Sequence, residues 1–282
     1  MRLILGITYV EVEQLVGVAR AAEELGFDSV ALADHVAIPG QHASTHTLEE
    51  AGRPLFNPCG PWPDALVAIA AMAAATTRLR FLTRVVVLPL HHPLALARAT
   101  ATLAAISGGR LQLGVGVGWL REEFDQLGAD WEHRGARADE TIVILRKAWL
   151  GPFEHSGRFY QLAPVEVSPR PPAPVPIYVG GDSRLALGRA ARLGDGYLSR
   201  SSDPGRMAEE MADLSSLRGE LGREGEFDYV ARADQAWTSD DFARAESAGA
   251  TSALVVPWGP AGPSGPIGGK RALLERFLEG MR

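Results

Sequence analysis

The sequence predicts an α/β protein, a (β/α)8 TIM barrel with an insertion after strand two and a smaller one before strand five. Short strand-like runs alternate steadily with helix-length amphipathic stretches, and eight such strands in alternation favour a closed parallel barrel over an open sheet. Caps and glycines punctuate the helical stretches at both ends. The 282 residues, 46% of them hydrophobic, are enough to bury the core of one large domain, and the chain is read as a single domain over 1–282.

Strand one is the apolar run Ile4 to Ile7, and Val12, Leu15, Val16, Ala19, Ala22 and Leu25 then recur at helical spacing until Gly26 closes the helix. SVALADH is strand two. A helix starts near Asp64, RFLTRVVVLP is strand three, and HPLALARATATLAAIS is a helix with Pro93 in its first turn and Gly108 after its end. RLQLGVGVG is strand four. Pro176 to Val179 is strand five, followed by a helix that Ser183 caps; GYLS, FDYVARA and TSALVVPW are strands six to eight, and Lys270 to Gly280 is the closing helix. Three stretches interrupt this rhythm: Val36 to Pro63, Gly151 to Pro174 with a small hairpin expected around GRFYQLAPVEV, and GPAGPSGPIGG after strand eight. Loops after barrel strands lie on the face that carries active sites, so the first and third are candidate lids.

Charge and cysteine usage narrow the function classes. A net charge of -6, from 28 basic and 34 acidic residues without a basic run, argues against a nucleic-acid footprint or an anionic-membrane anchor and leaves a small molecule as the expected partner. Cys59 is alone, which excludes an intramolecular disulfide and paired-cysteine zinc sites and fits a reducing cytoplasm. The start, MRLILGITYVEVEQ, lacks the length and cleavage site of a signal peptide, and the longest apolar tract, Ala65 to Ala75, is too short for a membrane span. A cytoplasmic protein is expected.

The stretch RLQLGVGVGWLREEFDQLG superficially suggests a dinucleotide fingerprint. Gly114, Gly116 and Gly118 repeat at strict period two, with Trp119 and Leu120 where the fingerprint would continue towards a third glycine, so a Rossmann turn is excluded. Residues at period two in a strand share a face; these glycines either clear a wall for a flat ligand or form a small-residue layer in a crowded barrel. Gly180, Gly181, Asp182 and Ser183 lie where a strand meets a helix start, where backbone amides suit a phosphate, and Arg200 after strand six adds positive charge. Asp34 and His35 end strand two at the mouth of the barrel, where an imidazole can take a hydroxyl proton as hydride leaves the same carbon; a capping Asp and a structural His are the alternative. His42, His46, His91 and His92 read as loop histidines rather than metal ligands, and no metal site is assigned. Trp62, Trp119 and Trp258 are candidates for an apolar substrate pocket.

ADH at 33–35, TRVVVLPLHHPLALARATATLAAISGGRLQLGVGVGW at 83–119, EEFDQLG at 122–128, RGARADE at 134–140 and PIYVGGDSRLALGRAARLGDGY at 176–197 carry a family resemblance. In this order, over more than half of the chain, they resemble the bacterial-luciferase-like superfamily of flavin and deazaflavin oxidoreductases, most closely the branch that uses the 8-hydroxy-5-deazaflavin coenzyme F420. The resemblance implies a homodimeric barrel enzyme that moves a hydride to or from a small organic substrate. It implies catalytic roles for His35 and Asp34 beside the deazaflavin, and a bulge or non-prolyl cis peptide at Thr83, Arg84 and Val85 under its ring. Gly116, Val117 and Gly118 would flank the cofactor, and Gly180 and Gly181, with Asp182, Ser183 and Arg200, would meet its phosphate. Related sugar-phosphate dehydrogenases carry a catalytic glutamate soon after the strand-four glycines, where this chain has Trp119 and Leu120. Two other readings stay open: an FMN-dependent monooxygenase served by a partner reductase, and a flavin-binding protein without catalysis.

Overall fold

The computed structural model describes residues 1–40, 43–44, 60–233, 237–258, 262–263 and 265–281. In chain order its elements are β1 (Arg2–Gly6), α1 (Leu15–Glu24), β2 (Ser29–Leu32), α2 (Ala65–Ala74), β3 (Arg80–Thr83), β4 (Val86–Val87), α3 (Pro93–Ile106) and β5 (Leu111–Gly116). The second half comprises α4 (Arg121–Leu127), α5 (Arg134–Leu150), β6 (Phe153–Ser156), β7 (Gln161–Val165), β8 (Ile177–Gly180), α6 (Arg184–Leu193), β9 (Gly196–Leu198), α7 (Pro204–Glu220), β10 (Asp228–Arg232), α8 (Ser239–Ser247), β11 (Ser252–Val255) and α9 (Ile267–Gly280). Among the described residues no helix is long and apolar enough to cross a membrane.

All pairings in the main sheet are parallel. The strands run β3-β2-β1-β11-β10-β9-β8-β5, and pairing of Phe81 with Leu111 and Leu82 with Gln112 closes the ring. The predicted eight-stranded barrel is therefore the observed one, with β4 continuing the third barrel strand after an interruption. Helix starts follow the local chemistry: Asp64 accepts from the Val67 amide at 2.9 Å, Pro93 stands in the first turn of α3, and Ser183 Oγ accepts from the Ala186 amide at 3.2 Å. α9 begins at Ile267, three residues before the predicted Lys270. The expected hairpin is β6 with β7, shifted toward the N-terminus so that GRFY forms its turn. The insertion after strand two lies largely outside the described residues, as do His42, His46 and Cys59.

Alternation along the strands builds two cores. Ile4, Ala31, Leu82, Tyr178, Leu198, Val230 and Leu254 fill the inside of the barrel, while Leu5, Val30, Phe81, Leu113, Ile177 and Ala253 pack outward against the helices. The end of the barrel opposite the mouth is closed by polar groups. Arg2 pairs with Asp228, which accepts from Tyr178; Gln112 donates to the Tyr178 hydroxyl at 3.0 Å and accepts from Ser29 at 3.1 Å, so buried polar atoms find partners there. Burial, then the neighbouring Asp228 carboxylate, pushes the Tyr178 phenol well above its ordinary range, which keeps it a donor.

The crowding inside the barrel has a measurable consequence. A Cβ on Gly114 would overlap the Thr83 carbonyl oxygen and lie 2.9 Å from Leu198 Cδ1, whereas one on Gly188 in α6 would meet nothing within 4 Å. Gly114→Ala is expected to destabilise the fold by about 1–3 kcal/mol, the usual range for overpacking. Gly188→Ala is expected to stabilise it by about 0.5–1 kcal/mol through helix propensity. Urea unfolding of both variants beside the parent chain checks the opposite signs.

Candidate active site

The mouth is assembled from the C-terminal ends of several barrel strands. β2 ends at Leu32, so Asp34 and His35 stand just beyond it, and their side chains turn to different neighbours. His35 Nδ1 lies 2.9 Å from Glu123 Oε2, with the two side chains 11% and 1% exposed. The other oxygen of Glu123 accepts from the backbone amides of Val36 at 2.7 Å and Ala37 at 3.2 Å. Because a carboxylate only accepts, a hydrogen bond at this contact requires the imidazole hydrogen on Nδ1. Asp34, also buried, has His91 Nε2 at 3.5 Å.

Glu123 reaches His35 because the chain reverses immediately after β5. Gly118 has φ +85, and a Cβ there would lie 2.6 Å from Phe124 and 2.8 Å from Val87. This close approach lets α4 fold back over the strand ends, burying Leu120 and Phe124 and carrying Glu123 inward with them. The preceding residue, Glu122, accepts from the amides of Ala43 at 2.7 Å and Ser44 at 3.1 Å. Burial raises its pKa, but the hydrogen bonds from the Ser44 side chain and the local backbone outweigh that and hold it at about 2. Two adjacent carboxylates at the start of α4 thus fasten two points of the segment that follows β2.

Aromatic rings surround the imidazole. Trp62 lies 5.0 Å and Trp119 6.2 Å from His35 between ring centroids, both edge-on, and Tyr9 stacks edge-on against Trp62 at 5.1 Å. Trp62 and Trp119 therefore meet at one histidine. Trp258 is partly buried against the outer core.

Beneath these groups the third barrel strand is interrupted. The Arg84–Val85 peptide is cis, at the position the family resemblance implies. Thr83 is fully buried and donates to the Gly114 carbonyl at 2.8 Å, while Val85 packs into the inner core. Val85 also explains two of the glycines: a Cβ on Gly116 would lie 2.6 Å from one of its methyls, and a Cβ on Gly180 would lie 3.0 Å from the other. The expectation of one open glycine wall is thus corrected. Gly114 and Gly116 make room for the Thr83 carbonyl and Val85, and Gly118 lies beyond the strand end, facing Phe124 and Val87.

The second glycine pair occupies the gap between β8 and α6. Gly181 has φ +151 and a Cβ there would lie 2.5 Å from that of Ala186, so the chain enters α6 by a route closed to other residues. Tyr197 donates to the Gly181 carbonyl, and Arg200 Nη1 lies 3.8 Å from Asp182. Burial lowers the Arg200 pKa against the opposing influence of Asp182, and Arg200 brings a largely desolvated positive charge to the start of α6. Ser183 acts there as the helix cap.

Two residues of the mouth were not singled out by sequence reasoning. Glu123 reads as an ordinary acidic residue in a first helical turn, and His91 reads as a loop histidine. Each gains its significance from a partner distant in sequence, and the only local hint is the close spacing of Gly118, Phe124 and the acidic pair.

Comparison with known proteins places this architecture. A family model described as luciferase-like monooxygenase matches residues 6–262. An uncharacterized protein of Mycobacterium tuberculosis is 35% identical over 265 residues, covering 93% of this chain and 92% of its own. An F420-dependent glucose-6-phosphate dehydrogenase of Amycolatopsis mediterranei is 33% identical over 192 residues, 66% of this chain and 53% of the longer relative. Among solved structures, an F420-dependent secondary alcohol dehydrogenase superposes with a TM-score of 0.78 at 16% identity over the full length of both chains. A monooxygenase from Streptomyces bottropensis gives 0.77 at 21%, covering 100% of this chain and 98% of its own. With a family match over most of its length and the barrel to go with it, the chain belongs to the bacterial luciferase-like family.

Proposed function

We propose that this protein is an F420-dependent oxidoreductase that transfers a hydride between the deazaflavin and a small organic substrate. The observation that carries the reading is the oriented imidazole of His35 at the mouth of the barrel, held by Glu123 and bordered by Trp62 and Trp119. The sequence similarity to F420-dependent dehydrogenases supports the choice of cofactor. The site residues fit such a group: Val85 fills the space next to Gly116 and Gly180 as a floor, and the glycine entry to α6 with Arg200 suits a phosphate. Bound there, the deazaflavin supplies hydride chemistry at its ring.

The chain's own residues supply orientation and proton transfer. With hydrogen on Nδ1, the Nε2 lone pair of His35 takes the hydroxyl proton of an alcohol substrate as hydride leaves its carbon, and returns it in the reverse direction. Trp62 and Trp119 limit water beside the imidazole and offer apolar surface to the substrate. Asp34 has His91 beside it, and its carboxylate would face the edge of a bound cofactor. Gly116, Val117 and Gly118 lead from β5 to the mouth.

An FMN-dependent monooxygenase is the second reading, favoured by the description of the matching family model. Parallel fluorescence titrations of the purified chain with F420 and FMN separate the two. F420 is expected to bind at least tenfold more tightly, a preference of about 1.4 kcal/mol or more. Equal or reversed affinities overturn the deazaflavin assignment.

His35→Ala tests the proton-transfer role. Turnover is expected to fall by about 10² to 10⁴, the usual contribution of a positioned acid or base, while cofactor affinity changes little. A structural histidine would lower thermal stability and cofactor binding together and leave the bound fraction active. Stoichiometric cofactor binding by the parent chain with no turnover across a panel of alcohols and aldehydes would instead mark a non-catalytic carrier.

A further inference from the structure

The carboxylate of Glu123 divides its work between two oxygens. Oε1 accepts both backbone amides, Val36 at 2.7 Å and Ala37 at 3.2 Å, and Oε2 alone faces His35 Nδ1 at 2.9 Å. The side chain is 1% exposed. Holding the loop needs only the carbonyl-like oxygen, and a neutral glutamine would do that equally well. A burial this complete disfavours a carboxylate unless every lone pair direction in use is matched by a donor, and the donor opposite Oε2 is the imidazole.

We propose that Glu123 is the positioning residue for His35, fixing its Nδ1–H tautomer and ring orientation so that Nε2 is the proton-accepting nitrogen. This deepens the functional reading above and rests on it for its catalytic meaning, although the tautomer itself is a property of the cofactor-free chain. Glu123 does not exchange a proton with the substrate; it acts through the imidazole, in the way an acidic partner orients a general-base histidine in hydrolases. α4 then has a defined task, because its first turn brings the acceptor to the histidine just beyond β2.

The substitution Glu123→Gln separates orientation from loop support. Its amide oxygen can keep both backbone donors, while its NH2 group replaces Oε2 and presents a donor to Nδ1. The imidazole must then accept at Nδ1 and carry its hydrogen on Nε2, the reversed tautomer. Nitrogen-detected NMR of the 15N-labelled chain, with the His35 resonances assigned by comparison with His35→Gln, is expected to show Nδ1–H in the parent and Nε2–H in Glu123→Gln. Hydrogen on Nε2 in the parent, or one tautomer in both proteins, overturns the proposal, and the parent spectrum decides even if the variant fails to fold.

Kinetics supply the second readout. Single-turnover hydride transfer at saturating F420 and alcohol is expected to fall about a hundredfold or more in Glu123→Gln, as for a reversed tautomer in a triad. The F420 Kd and the unfolding midpoint are expected to stay close to the parent's, and Glu123→Asp, which keeps the charge, is expected to recover part of the rate. A Glu123→Gln rate within threefold of the parent, while His35→Ala is strongly impaired, overturns the role of Glu123 and leaves that of His35. Full activity in His35→Ala has the opposite meaning: the proton-transfer reading fails, and the NMR comparison alone judges whether Glu123 sets the tautomer.

Discussion

The seam where β3 meets β5 constrains everything above it. Barrel closure brings Phe81 and Leu82 alongside Leu111 and Gln112, but the third strand then turns its Thr83 carbonyl and the Val85 side chain inward before β4 resumes the pairing with β5. A side chain at position 114 would collide with that carbonyl, one at 116 would collide with Val85, and one at 180 would crowd Val85 at 3.0 Å. The absence of Cβ atoms at 114 and 116 is therefore the condition for this seam, and Gly180 on the neighbouring strand eases it further. Close packing leaves no slack to absorb an added methyl group here.

Once the seam is closed, the mouth is organised by carboxylates that cross between strand ends. Glu123, in the helix that follows β5, reaches His35 beyond the end of β2, and Asp34 approaches His91 beyond β4. The two interactions use adjacent residues of one short motif in different directions. Glu122 adds a third crossing to Ala43 and Ser44, and its strongly lowered pKa reflects how many donors converge on it. The polar groups here are oriented by partners within the protein, and Trp62 and Trp119 pack edge-on beside the imidazole. The opposite end of the barrel follows a different logic, with Arg2, Asp228, Tyr178, Gln112 and Ser29 satisfying one another in a polar plug. One end is closed by this polar plug, while at the other His35, Asp34, Glu123 and the two tryptophans converge.

Much of the barrel was legible in the sequence because its signals are local. Alternation of strand-like and helical runs, Asp64, Pro93 and Ser183 at helix starts, and Gly26 and Gly108 after helix ends depend on residues a few positions apart. Asp34 and His35 were legible as mouth residues for the same reason, since any residue that ends a barrel strand lies at that face. The family resemblance, which runs through TRVVVLP, located the third-strand interruption at Thr83, Arg84 and Val85. The period-two glycines were legible as a cleared face, but not what occupied it. That required knowing that a different strand folds inward against them.

By itself the sequence determined the order and kind of the elements, because hydrophobic period and capping chemistry act within a few residues and leave little freedom. It also determined which side chains stand at strand ends, and hence which residues reach the mouth of the barrel. Only the tertiary structure decided which of them meet. That Glu123 rather than Glu122 faces His35, that His91 approaches Asp34, and that Trp62 joins Trp119 while Trp258 packs elsewhere all follow from barrel curvature and from the reversal at Gly118. Residues 88 positions apart share a hydrogen bond across the mouth, and no local pattern in the chain encodes a contact of that range.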